Sequence, residues 1–210
     1  MVRGRLISFE GLDGAGKTTQ MGLLERWLIN QRVEYLRTRE PGGTDLGVEI
    51  RKLLLHRPEL ELTPLAEAFL FQADRAQHFT TKIVPALHAG ILVVTDRCFD
   101  SSIAYQGVAR GMGMELIEQL SLIATGGLVP DLTLFLDLDL ALARSRKEEQ
   151  DRLDAESEEF QKSLRTAFLA LAQAHPQRIK IVDASQAPQV MHLQIISLLQ
   201  QLIQEMRSSL

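Results

Sequence analysis

Along this chain, short uninterrupted apolar runs alternate with longer stretches in which apolar residues return every third or fourth position. Five runs have the length and aliphatic content of buried strands: Leu6 to Phe9, Tyr35 to Thr38, Ile91 to Thr95, Leu132 to Leu138 and Ile179 to Val182. The stretches between them carry helical periodicity, and the alternation predicts an α/β fold, a five-stranded parallel sheet with helices on both faces. Leu23, Trp27 and Leu28 give the first helix a candidate buried stripe. Thr63-Pro64 signals another helix, Thr63 as N-cap and Pro64 in the first turn, with periodicity running to about Leu87. The last helix is expected from Pro188 to about Met206, with Val190, Leu193, Ile196, Leu199 and Ile203 packing on the sheet. Ser145 to Glu159 breaks the pattern: SRKEEQDRLDAESEE is too polar for a core and reads as a solvated hairpin or a mobile cover.

Composition narrows the class. The 210 residues are 45% hydrophobic, enough for one domain with a full core, and no repeat, low-complexity tract or Pro/Ser linker divides residues 1–210. The formal net charge of −4 argues against a general nucleic-acid surface and leaves room for a small anion in a focused basic pocket. Cys98 is the single cysteine, so no intrachain disulfide forms. The start MVRGRLISFEG lacks a leader pattern and no run reaches the roughly 18 apolar residues of a membrane span, so no membrane partner and a cytoplasmic setting are expected.

Candidate chemistry begins with GLDGAGKT, Gly11 to Thr18, which matches G-x-x-x-x-G-K-[ST] and lies between a strand and a helix, as a P-loop requires. Backbone N–H groups of Asp13, Gly14, Ala15 and Gly16 curl around an anion, and Thr19 extends the helix N-terminus that faces it. Lys17 reaches the outer phosphates and Thr18 offers a hydroxyl to Mg²⁺. Two strands end in an acid that fits the other half of a magnesium site, Asp96 and Asp137; Asp96 is favoured because an arginine follows it directly.

Arginine concentrates in three clusters, Arg37-Thr38-Arg39-Glu40-Pro41-Gly42-Gly43-Thr44, Phe71 to Arg75, and Asp96-Arg97 through Tyr105-Gln106. The first and third begin where strands end, the ligand edge of an open α/β sheet. Guanidinium forks suit a monophosphate, and hydroxyls, an amide and an aromatic face suit a flat base with polar edges.

These residues are the ones by which the sequence resembles the thymidylate kinase family: FEGLDGAGKTTQ, TREPGGT, FLFQADRAQH, DRCFDSSIAYQG, VPDLTLFLDL and DRLD, in the family's order and over most of the chain. The resemblance implies a P-loop NTPase fold with a short mobile lid at about 143–155, ATP and Mg²⁺ as donor and cofactor, dTMP as acceptor, and a homodimer. It implies that Phe71 stacks on thymine, Arg75 bonds its O4, and Ser102, Gln106 or both meet the N3 edge, beside Ser101. Arg97 would bind the dTMP phosphate with Arg39 and Arg51 nearby, Glu40 would lie close to the acceptor phosphate and the metal, and Tyr105 would select deoxyribose. Asp13 would face the sugar or the acceptor phosphate, Glu40-Pro41 would be cis, and the adenine would rest near Asp183-Ala184-Ser185. Some members carry a catalytic arginine where this chain has Gly14; members without it supply the charge from the lid, which points to Arg146, then Arg144, with Arg152 touching the triphosphate or anchoring the lid.

Two other readings share the P-loop. A deoxynucleoside kinase would need a carboxylate base at the sugar's 5′ end and would leave the acceptor arginines surplus. A nucleotide switch would hydrolyse ATP without regard to dTMP, and the guanine-reading N-K-x-D motif is absent from the sequence.

Overall fold

The computed structural model describes residues 4–146, 152–153 and 156–208. Of the polar segment after Leu142, Lys147, Asp151, Asp154 and Ala155 therefore lie outside the described residues, whereas Arg144, Arg146 and Arg152 lie within them.

Five parallel strands form one sheet in the order β2-β3-β1-β4-β5. They are β1 Leu6–Glu10, β2 Tyr35–Arg39, β3 Leu92–Asp96, β4 Leu132–Asp137 and β5 Ile179–Asp183. The central strands β1, β3 and β4 are buried almost throughout, which is why they read as unbroken aliphatic runs. Register brings the strand ends together: Arg39 pairs with Asp96, Phe9 with Asp96, and Asp137 with Asp183. The chain leaves β1 toward β3 and β2 on one side and returns to β4 and β5 on the other, so the crevice beyond β1 is the topological switch point.

The helices are α1 Lys17–Asn30, α2 Asp45–Leu55, α3 Pro64–His78, α4 Val84–His88, α5 Phe99–Ser102, α6 Met114–Thr125, α7 Leu140–Ser145, α8 Glu158–Ala174 and α9 Pro188–Ser208. Thr63 caps α3, accepting from the N–H of Ala66, as expected from Thr63-Pro64. The run toward Leu87 is one rod interrupted by a π-helical turn at Phe79–Ile83, just before Pro85, which has no N–H to return to an α-helical ladder. A second π-helical segment, Ile103–Ala109, continues α5.

Two expected stripes are displaced. In α1 the buried apolar residues are Met21, Leu24 and Leu28, with Leu23 and Trp27 only partly covered. In α9 Ile196, Leu199 and Ile203 are buried, but Val190 and Leu193 face outward and Met191 and Ile195 take their places. Both helices are apolar around more than one face, so periodicity alone admits neighbouring solutions.

Candidate active site

The loop after β1 folds back on its own lysine. Lys17 Nζ donates to the carbonyls of Gly11 and Leu12, both at 3.1 Å, and to Asp13 Oδ1 at 2.9 Å. Gly16, the N-cap of α1, is left-handed and offers no side-chain cap, so the first-turn N–H groups of the helix stay open to an anion. A cavity of about 650 Å³ covers this end, lined by Asp13, Gly14, Ala15, Gly16, Lys17, Thr18 and Thr19, and opposite them by Arg146, Gln186, Pro188 and Met191. Gly11 lies beneath it instead, where a Cβ would stand 2.6 Å from the carbonyl oxygen of Leu136. Asp183 also stays outside the lining: it accepts from the Ser185 N–H and hydroxyl and from Gln186, and so shapes the turn that puts Gln186 in the wall.

A second cavity, about 280 Å³, opens on the other side of Thr18 and is walled by Arg39, Glu40, Pro41, Arg51, Phe71, Arg75, Arg97, Ser101, Ser102, Tyr105 and Gln106. Asp13, Thr18 and Asp96 line both cavities. Arg97 is held in a left-handed conformation, φ 64°, by backbone bonds on either side: its N–H donates to Phe9 and its carbonyl accepts from the Thr95 hydroxyl. That turn swings the guanidinium to Asp13, 2.7 Å away, and over the Tyr105 ring at 5.3 Å.

Arg75 differs from the expectation of a simple base contact. It is buried to 1% exposure; its Nε donates to Glu40, its Nη1 to Gln72, Ser102 and Ser121, and its Nη2 to the carbonyl of Cys98. A guanidinium has five N–H groups, so one on Nη2 is left for a ligand in the cavity. Glu40 likewise gives one oxygen to Arg75 and the other to His78 Nδ1 at 3.0 Å. Burial alone would raise its pKa, but Arg75 and His78 outweigh it and hold the carboxyl below its ordinary range. Glu40 is thus the counter-ion that fixes Arg75, and both line the smaller cavity. The Glu40-Pro41 bond is cis.

Two strand-end acids competed for the metal, and their surroundings separate them. Asp137 is paired bidentately by Arg165 at 2.6 and 2.9 Å, whereas Asp96 lines both cavities with Oδ1 buried and without a partner among the described residues. An orphaned carboxylate oxygen on a residue that shares both cavity walls with Thr18 fits a hard cation. The described residues hold no group of three or more His, Cys, Asp or Glu placed for a metal, and magnesium does not need one, since it keeps most of its shell as water and phosphate oxygen.

The lid candidates part company as well. Arg146 faces the loop cavity and donates to the carbonyl of Ala184 at 2.9 Å. Arg144 is exposed and lies 3.5 Å from Glu158. Arg152 lies outside the lining of the loop cavity, and it donates to the carbonyl of Leu54 at 2.7 Å and to Glu67.

A family model described as thymidylate kinase matches residues 9–195. The chain belongs to the thymidylate kinase family. The thymidylate kinase of Leifsonia xyli subsp. xyli is 50% identical over 186 residues, 87% of this chain and 88% of that one. That of Pelotomaculum thermopropionicum is 44% identical over 199 residues, 93% of this chain and 92% of its own. Among solved structures, the thymidylate kinase of Ehrlichia chaffeensis superposes with a TM-score of 0.78 at 33% identity, covering 94% of this chain and 99% of that one. Thymidylate kinases are nucleoside monophosphate kinases that use ATP as phosphoryl donor, so the fold and reaction class expected from the motifs stand.

Four residues in or behind the walls of this thymidylate kinase site escaped sequence reasoning. Leu55 and Leu153 wall the smaller cavity but look like any core leucine. Glu10 ends β1 fully buried, accepting from the Cys98 N–H at 2.9 Å and from the Ser101 hydroxyl. Burial and the nearby Asp100 charge push its pKa up to about 8. Glu67 collects three donors from distant parts of the chain. The one local signal was an acid inside an otherwise apolar window, in LISFEG and PLAEAFLF.

Proposed function

We infer that this chain transfers the γ-phosphoryl group of ATP to the 5′-phosphate of dTMP, giving dTDP and ADP. The observation that carries the reading is the pair of adjoining cavities, one on the P-loop and one lined by arginines, that share Asp13, Thr18 and Asp96. Donor and acceptor phosphates brought from the two sides meet at that shared wall, and alignment with shielding supplies much of the acceleration in phosphoryl transfer.

In this reading the triphosphate draws Lys17 from its loop carbonyls, and the open N-terminus of α1 receives the phosphate oxygens. Thr18 and Asp96 would hold Mg²⁺, which when bound would supply positive charge to the phosphates. Arg97, with Arg39 and Arg51, aims the acceptor phosphate, whose oxygen is already ionised near neutral pH, so no general base is required. Arg146 brings positive charge over the transferring group. Phe71 supports the base, Arg75 gives its remaining N–H to O4, and Ser102 and Gln106 face the N3 edge beneath Tyr105.

Residues 1–210 act as one catalytic domain, with about 143–155 as its lid. The described residues contain no helix long and apolar enough to cross a membrane. Leu65 and Phe69 on one face of α3, and Leu116 and Ile123 on one face of α6, stand exposed on neighbouring helices and support a homodimer through that surface. The test is ADP release measured with dTMP, dUMP, dCMP, dGMP and thymidine: strong stimulation by dTMP is expected, and none by dTMP overturns the reading.

A further inference from the structure

Glu67 touches neither cavity, yet three parts of the chain converge on it. It is buried to 1% exposure near the start of α3. Gln106 Nε2 donates to its Oε1 at 2.9 Å, and Arg110 Nε to the same oxygen at 3.2 Å. Arg110 Nη2 reaches Oε2 at 3.1 Å, and Arg152 Nη2 donates there too. Burial alone would raise the pKa of this carboxyl, but the hydrogen bonds from Arg110, Arg152 and Gln106 outweigh it and hold the group ionised.

An ionised carboxylate only accepts, so it dictates which way the Gln106 amide lies. The NH₂ must face Glu67, and the carbonyl Oε1 is then turned away from it, with no described residue donating to it. Gln106 lines the smaller cavity, so what it presents there is an acceptor. A pyrimidine with N3–H meets such an acceptor; one whose N3 carries a lone pair sets acceptor against acceptor.

We propose that Glu67 is a positioning residue for base choice, locking the Gln106 amide as an acceptor and so favouring thymine over a 4-amino pyrimidine. Arg75 writes a separate part of the same preference at the 4-position. The proposal deepens the reading of the smaller cavity as the thymine site and rests on it.

Replacing the carboxylate by an amide inverts the relay. In Glu67→Gln the carbonyl oxygen is drawn to the side where Arg110 Nη2 and Arg152 Nη2 both donate, which leaves the new NH₂ against Gln106 at the cost of the single, longer 3.2 Å bond from Arg110 Nε. Gln106 then turns over to accept from it and offers its own NH₂ to the base. Arg75 is untouched, so only the N3 share of the preference is lost.

The test compares binding of dTMP and 5-methyl-dCMP, which differ only along that edge, by calorimetry on the full-length protein. In Glu67→Gln the preference for dTMP is expected to fall about ten-fold or more, the scale of one mismatched buried polar contact. Glu67→Asp keeps an acceptor-only group and is expected to keep the preference at weaker overall affinity. A purely structural Glu67 would weaken both ligands alike, and an unchanged preference in a folded Glu67→Gln overturns the proposal. Should that variant not fold, the wild-type protein decides: the side-chain amide protons of Gln106 are expected to stay protected from exchange by NMR with and without dTMP. Exchange as fast as in exposed glutamines overturns the proposal. Gln106→Ala separates the two levels. If it leaves dTMP affinity intact, the thymine-site reading fails; if it weakens dTMP while Glu67→Gln keeps the preference, only the role of Glu67 fails.

Discussion

A Cβ on Gly14 would stand 2.3 Å from the carbonyl oxygen of Ala143. Gly14 has φ 86°, and the root of the segment that carries Arg146 lies directly on it, so the P-loop position that holds an arginine in some thymidylate kinases is here filled by backbone. Gly14→Ala is expected to lower stability by about 1–2 kcal/mol from the left-handed strain alone and to raise the KM for ATP as the contact is forced apart. Urea denaturation and ATP kinetics check both, and wild-type values in each would refute the contact's importance.

Arg146 and Arg144 are predicted to behave differently. Arg146→Ala is expected to reduce kcat by about 10³-fold or more with little change in the KM for dTMP, as for an arginine aimed at the transferring group. Arg144→Ala, which loses one exposed partner, is expected to stay near wild type. Gly14→Arg is expected not to rescue Arg146→Ala, because the loop has no room for it. Normal turnover in Arg146→Ala would reassign the catalytic charge.

Arg75 is tied into the core as much as into the site. Arg75→Met leaves Glu40 buried against His78 without its main cation, and a loss of about 3–5 kcal/mol in stability is expected. A urea midpoint equal to wild type would mean that Glu40 is relieved by some other route.

Glu10 makes stability depend on pH in an unusual direction. Folded, it keeps its proton up to about pH 8; unfolded, it releases it near the ordinary 4.5. Between those values the native state binds more protons, so stability falls as pH rises, by at most about 1.4 kcal/mol per pH unit from this group. Glu10→Gln is expected to flatten that fall between about pH 5 and 8, as read by urea midpoints; curves parallel to wild type would show that the group titrates normally.

The exposed face of α3 and α6 provides the last test. Phe69 and Ile123 are 53% and 78% exposed, large apolar areas for a lone surface. Phe69→Glu combined with Ile123→Glu is expected to yield a monomer by light scattering. A wild-type protein that is itself monomeric at micromolar concentration would remove the basis for the homodimer.

The central strands β1, β3 and β4 were legible within about a residue because a buried parallel strand has no polar face to blur its edges. The three arginine clusters were legible because strand ends and ligands coincide in this architecture. What escaped was the set of groups that act through others. Glu67 meets Gln106, Arg110 and Arg152 from 39, 43 and 85 positions away, and Glu10 meets Ser101 from 91. A lone acid in an apolar window marks that something must meet it, but only the folded chain shows what. The displaced stripes of α1 and α9 have a simpler cause, since a helix apolar on two faces does not announce which one turns inward.

Tyr105 and Gln106 both ride on the π-helical segment Ile103–Ala109. Such a segment is an α-helix carrying one residue more than its repeat needs. Deleting one residue there would restore the regular repeat and move the side chains within the segment by one position, about 100° around the helix axis, while the chain on either side keeps its place. Substrate choice in this fold is thereby exposed to a kind of variation that point substitutions do not sample: one lost codon would re-aim the base-facing wall while leaving the sheet, the phosphate loop and the arginines where they are.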